Sequence, residues 1–223
     1  MNPVVFTDSD SLLEKKQRLG ELLRAKLAKP RRCPVSYTQR RLWLLQQMEP
    51  ESPLYNVPHS VRLIGELDLK GLEESLSGIV KRHEILRTQF PLHEGEPVQE
   101  IHPAKSVKVP ILDLSGFADH ERELLAQDAR QEEAERPFAL ETEPLFRSRL
   151  VRLKEHEHEL LLTMHHMVTD DWSYGIFTQE LEAFYTAYVD GQPPSLPPLE
   201  IQYADYAAWQ LKNIGSEELQ AQI

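Results

Sequence analysis

The chain has 223 residues, 40% of them hydrophobic, enough for the core of one domain or of one lobe of a larger one. A formal net charge of -11 removes electrostatic support for a nucleic-acid role, and a single cysteine, Cys33, excludes an internal disulfide and a cysteine-built zinc site and fits a reducing compartment. No apolar run approaches the ~20 residues that span a bilayer and no cleavable apolar segment opens the chain, so the expectation is a cytoplasmic protein with no membrane partner.

Residues 1 to about 10 read as loosely attached. Leu12, Leu13, Leu19, Leu22, Leu23 and Leu27 then recur at helical spacing among basic residues, as in a solvated amphipathic helix or a docking helix for a neighbouring module. Cys33 precedes Pro34 in this basic linker and lacks the strand-turn-helix setting of a nucleophile. Ser36 is the expected N-cap of a helix through Leu45, with Leu42, Trp43 and Leu45 turned inward and Arg40 and Arg41 on a solvated face. A loop from Met48 to Pro53 follows. Residues 57 to 67 alternate as a strand, with Val57, Val61 and Leu63 on one face and Gly65 weakening its end. Asp68 caps a helix striped by Leu69, Leu72, Leu76, Ile79 and Val80.

That helix runs into Arg82-His83-Glu84-Ile85-Leu86-Arg87-Thr88-Gln89-Phe90, where a cation is favoured by the helix dipole and a guanidinium could pair with a carboxylate. Two short strands flank the turn at His93 to Pro97, His102 is expected on a surface loop, and residues 107 to 112 read as a further strand. Residues 119 to 136 form a strongly charged outer helix held mainly by Leu124 and Leu125 and ended by Pro137. Residues 147 to 153 and 159 to 164 are two strands joined by a charged turn. His156 and His158 lie at that turn without a third ligand at a supporting spacing, so no metal site is expected.

The chemistry concentrates in Met164-His165-His166-Met167-Val168-Thr169-Asp170-Asp171-Trp172-Ser173. Leu160 to Met164 is an apolar run of strand length, and Phe177, Leu181, Phe184 and Tyr188 mark a helix over 172 to 190, so the histidines leave a rigid strand and the acidic pair lies in the turn. Adjacent residues on a strand point to opposite faces, so only one histidine can face a given cleft. A free imidazole there has the pKa of a general base near neutrality, whereas the plainer reading is two hydrogen-bonded histidines at a strand end. A proline-rich connection over 190 to 198 leads to a helix at 201 to 209, where Tyr203, Tyr206, Ala207 and Trp209 are expected to pack inward, and a further helix is expected to begin before Ile223.

Four of these segments, in order, resemble the motifs of nonribosomal peptide synthetase condensation domains, within the chloramphenicol acetyltransferase-like superfamily. Ser36 to Trp43 resembles Ser-x-Ala-Gln-x-Arg-Leu-Trp with Thr38 for alanine. Arg82 to Phe90 matches Arg-His-x-x-Leu-Arg-Thr-x-Phe at every specified position. His165 to Asp170 matches His-His-x-x-x-Asp-Gly up to Asp171, which stands in place of the glycine. Tyr203 to Trp209 resembles Tyr-x-Asp-Phe-Ala-x-Trp with Tyr206 for phenylalanine.

The resemblance implies an α/β sandwich with helices on a mixed sheet: residues 1–33 a linker or helix, residues 34–223 the N-terminal lobe of a condensation domain, the C-terminal lobe being absent. It implies His166 as the histidine that takes the amine proton or positions the amine, with His165, Asp170, Asp171, Arg87 and Arg41 in supporting places. By that resemblance Arg87, or else Arg41, would brace Asp170 through an ion pair. The implied partners are donor and acceptor peptidyl carrier proteins bearing phosphopantetheine arms, the C-terminal lobe and adjacent synthetase modules. No cofactor is expected to bind this chain itself. Asp171 would forfeit a positive φ or a close backbone approach, and its charge would make His166 a poorer base. The alternatives are a non-catalytic carrier-binding or scaffold module and a trimeric acyltransferase acting on acyl-CoA.

Overall fold

The computed structural model describes residues 29–214 together with Arg18. The leucine-rich segment between Leu12 and Leu27 and the further helix expected before Ile223 lie outside the described residues.

The central sheet is mixed, as expected, and runs in the order β2 (Asn56–Ile64), β8 (Glu157–His165), β7 (Phe146–Lys154), β6 (Ile111–Asp113). Strands β2, β7 and β8 pair antiparallel, and β6 lies parallel to β7. Strand β8 is the centre of this sheet: it is buried along nearly its whole length, which is why its sequence is a continuous apolar run and shows no alternation. On β2 the alternation is plain, with Val57, Val61 and Leu63 half-buried between exposed Pro58, Ser60 and Arg62.

Helices cover both faces. Helix α2 (Leu69–Arg82) packs Leu72, Leu76 and Ile79 against Leu160, Leu162 and Met164 of β8, and α4 (Asp171–Val189) adds Phe177 to the same core. The opposite face carries the charged helix α3 (Asp119–Glu135) over Leu161, Val151 and Leu153. The contact of α3 with the sheet differs from expectation. Leu125 packs against the sheet as expected but Leu124 is exposed, and the small residues Ala126 and Ala129 supply the buried contact, letting the helix come close while Arg130 reaches the buried Glu159 at 2.8 Å.

A second, small antiparallel sheet joins β1 (Arg31–Pro34), β3 (Thr88–Gln89), β4 (Leu92–His93) and β5 (Glu96–Ile101), with β5 pairing all three others. Strand β1 pairs Arg31 with Ile101 and Pro34 with Val98, so ordered structure crosses the boundary drawn at residue 33. The strand read over 107 to 112 is shorter and later than expected. Only Ile111–Asp113 meet a neighbour, while Val107 and Val109 donate their N–H groups to Ser77 and Glu73 of α2.

Helix α1 (Tyr37–Met48) starts from a capping box in which Ser36 and Gln39 exchange hydrogen bonds, and it buries Leu42 and Trp43, with the Trp43 indole N–H on the Phe90 carbonyl at 2.9 Å. Helix α5 (Tyr203–Ile214) buries Ala204 and Ala207. Leu45, Tyr206 and Trp209, expected inside, are exposed. Spacing gave the correct helices, but the apolar stripe of each is wider than the face that this lobe covers.

Candidate active site

The site is built where β8 ends. His165 closes the strand opposite Asn56, and the next residue leaves the sheet while still donating its backbone N–H to the Tyr55 carbonyl at 2.8 Å. The alternation of strand side chains sends the two rings to different environments. His165 is buried, with 1% of its surface exposed, between the rings of Tyr55 and Phe138. Its Nδ1 accepts from the Met167 N–H at 3.1 Å. Burial pushes its pKa down to about 4, and the charge of His166 beside it acts in the same direction, so His165 is a neutral structural group.

His166 is exposed. Its Nδ1 lies 2.8 Å from the carbonyl oxygen of Thr169. A carbonyl only accepts, so the partner assigns the proton to Nδ1 and leaves the Nε2 lone pair of the neutral ring unengaged among the described residues. The ring is thus fixed by the loop that follows it and offers one basic nitrogen outward.

That loop is held from three sides. The Val168 N–H returns to the His165 carbonyl, closing a turn. Gln39, buried in α1, donates its side-chain N–H to the Met167 carbonyl at 3.2 Å. Asp170 is the N-cap of α4, its Oδ1 accepting from the Ser173 N–H at 2.8 Å and the Ser173 hydroxyl at 2.6 Å. Those two bonds, the hydroxyl first, hold the Asp170 carboxyl below the ordinary carboxylate range, and the nearby His166 adds to the effect.

The expected Arg87–Asp170 pair does not form. Arg87 turns back on its own segment, donating Nε to the Val80 carbonyl at 3.3 Å and Nη1 to the His102 carbonyl at 2.7 Å, with Glu84 beside it at 3.5 Å. The last carbonyls of α2 lack partners along the helix, and a guanidinium at its end satisfies one of them. Arg41 is exposed on α1 and does not pair with Asp170 either. Asp170 braces the loop as foreseen, but through a cap. His102, expected on the surface, is half-buried by the same arrangement.

Asp171 is the first residue of α4 and is exposed. Among the described non-glycine residues only Glu94 has a positive φ, so no strain marks the position where the resemblance places glycine. The charge of Asp171 acts on His59, a β2 residue stacked on the Tyr174 ring at 3.3 Å, where it opposes the lowering of the His59 pKa by burial.

Gln39, Tyr55, Thr169 and Ser173 support the site without having been singled out. Gln39 had a readable signal, the Ser-x-x-Gln capping box. Thr169 acts through its backbone carbonyl and carries none, and Tyr55, which also sets its ring against His165, was not marked by any local pattern. Burial pushes the Cys33 thiol up, away from the thiolate a nucleophile needs. Among the described residues no three metal-ligating side chains gather, and no helix is long and apolar enough to cross a membrane.

The chain is similar to known proteins of one family. The condensation-domain profile matches residues 29–222. The chain is 43% identical over 190 residues to one linear gramicidin synthase polypeptide of Brevibacillus parabrevis and 41% identical over 221 residues to another from the same organism. It is 42% identical over 190 residues to a dimodular nonribosomal peptide synthase of Bacillus subtilis. These matches cover 85%, 99% and 85% of this chain but only 2%, 4% and 8% of those proteins.

Among solved structures, the starter condensation domain of the rhizomide synthetase RzmA superposes with a TM-score of 0.77 at 23% identity, over 86% of this chain and 46% of that one. The X-domain from teicoplanin biosynthesis superposes at 0.74 with 35% identity, over 86% of this chain and 40% of that one. The chain therefore spans about half of a whole domain of this fold.

Proposed function

The chain belongs to the condensation-domain family of nonribosomal peptide synthetases, and from that premise we propose that it is the histidine-bearing N-terminal lobe of an amide-forming domain. In this reading the α-amine of an acceptor aminoacyl group attacks the carbonyl carbon of a donor acyl thioester, both delivered on phosphopantetheine arms of carrier proteins from adjacent modules. A C–N bond forms and the C–S bond breaks. The amine proton passes to Nε2 of His166 or is held there by a hydrogen bond, and the departing thiolate is protonated. The observation that supports this reading is the disposition of His166: exposed, fixed through Nδ1 to the Thr169 carbonyl, with Nε2 left for substrate. His165, Asp170 and Gln39 hold the loop and do not touch the reacting atoms.

Orientation of two substrates can lower a barrier by roughly 7–11 kcal/mol, and one lobe offers only one wall for that purpose. The reading therefore requires the C-terminal lobe. Loaded donor and acceptor carrier proteins mixed with the 223-residue chain alone should yield no amide above background, and the same chain joined to a C-terminal lobe should yield product. Amide formation by the single lobe at rates typical of enzymes would contradict this.

Asp171 starts a helix, where a carboxylate is favoured by the helix dipole, so we read it as a helix-initiating residue that leaves the chemistry intact. A second reading, a protein-docking module without catalysis, draws on the X-domain from teicoplanin biosynthesis, whose structure is also solved as a complex with OxyB. Amide formation by the joined lobes discriminates between the two.

A further inference from the structure

Helices α2 and α4 run antiparallel and meet in three layers. At the far end the Tyr188 ring lies where a Cβ on Gly71 would sit, at 2.7 Å, and in the middle Phe184 occupies the corresponding space over Gly78, at 2.6 Å. These two layers are steric. The third layer, nearest the His166 loop, is polar. Glu180 is buried, its Oε1 accepts from Arg82 Nε at 2.8 Å, and its Oε2 accepts from His83 Nε2–H at 2.6 Å.

The same junction grips α5, since the Gln202 side chain donates to the Arg82 carbonyl at 3.0 Å and accepts from the Glu84 N–H at 3.0 Å. Arg82 and His83 are thus the residues of their motif that reach the helix leaving the site, while Arg87 does not. Two directional bonds on one buried carboxylate resist both sliding and rotation of α4, which ring-on-glycine contacts alone resist less. Whatever displaces α4 displaces its cap, Asp170, and with it the Thr169 carbonyl on which the His166 ring rests.

We infer that the Arg82–His83–Glu180 cluster is a positioning device for the candidate catalytic ring, with Glu180 its central residue. The inference rests on His166 being the reacting imidazole, and its action is through helix α4, not through contact with substrate. Glu180→Gln keeps the shape but removes the negative charge from both bonds, and its amide N–H group can meet His83 only if that ring changes tautomer.

The test is ring-nitrogen NMR of His166 in the 223-residue chain, combined with kinetics of the whole synthetase. For wild type we expect a single Nδ1–H tautomer. For Glu180→Gln we expect a mixture of tautomers, a kcat lowered between about 10- and 100-fold with KM within about twofold, and a fold still cooperative on melting. Arg82→Lys, which keeps a charge on Glu180, should show the same changes to a smaller degree and serves if Glu180→Gln does not fold. Unchanged ring shifts and kcat in a folded variant would overturn the inference, as would a fall in kcat only in proportion to lost folded protein. The NMR arm is independent of catalysis: if His166→Ala leaves amide formation intact, the functional reading fails while the ring tautomers still decide the clamp.

Discussion

Asp170 closes the N-terminus of helix α4 by accepting twice from Ser173, at 2.8 Å from the backbone N–H and 2.6 Å from the hydroxyl. An N-cap lost to alanine costs about 1 kcal/mol, and here the cap also carries the carbonyl that orients His166. Asp170→Ala should therefore lower both the denaturation midpoint and amide formation, and Asp170→Asn, which can still cap, should recover most of the stability. Because the carboxyl is held below its unfolded value, its contribution is present above the ordinary carboxylate pKa and disappears as pH falls through the folded value. Melting curves between about pH 7 and pH 3 on wild type and Asp170→Asn check this: the acid limb of the wild type should be the steeper.

His165 has the opposite consequence. Its ring is neutral in the fold down to about pH 4, whereas in the unfolded chain it takes up a proton near pH 6.5. The unfolded state then binds more protons across that window, so stability falls as pH drops from about 6.5 to about 4, by roughly 3 kcal/mol in all. His165→Asn leaves an acceptor for the Met167 N–H and removes the titrating group, so its melting temperature should change little over the same range. A wild type as stable at about pH 4.5 as at neutral pH would show that His165 is not held neutral.

Two helical glycines separate packing from propensity. A Cβ on Gly78 would meet the Phe184 ring at 2.6 Å, while one on Gly175 would meet nothing within 4 Å. Alanine gains up to about 1 kcal/mol over glycine in a helix, and forcing an atom into a filled core costs roughly 1–3 kcal/mol. Gly78→Ala should be destabilised overall and Gly175→Ala stabilised, as read from urea midpoints.

Asp171→Gly tests whether the residue at the family's glycine position matters to the reaction. Loss of an acidic first-turn residue and gain of a glycine should lower stability by up to about 1 kcal/mol. Amide formation in the joined lobes should stay within a few-fold of wild type. A gain of an order of magnitude would mean that the Asp171 carboxylate damps the chemistry after all.

What was legible in the sequence follows from period and local grammar. The buried run Leu160 to Met164, the stripe of α2 and the caps at Ser36 and Asp68 are all local, and each formed where read. The opposite fates of His165 and His166 follow from strand alternation at a sheet end. The partner of Arg87 was not legible, because its carbonyl acceptors are set by how the 82–90 segment folds back on β5 and the loop at 102. The small sheet was missed at β1 because Arg31 to Pro34 is too short and polar to show a strand period, and only pairing with β5 makes it one. Leu45, Tyr206 and Trp209 were misplaced because periodicity marks apolar faces without telling which of them this lobe covers.

The central claim is that Nε2 of His166 acts on the reacting amine. Its most direct test is single-turnover amide formation in the complete synthetase with both carrier proteins loaded, comparing wild type, His166→Ala and His165→Asn. The account predicts that His166→Ala falls by at least about 100-fold at an unchanged melting temperature, while any loss in His165→Asn tracks its loss of folded protein. A His166→Ala variant that makes the amide at the wild-type rate would contradict it.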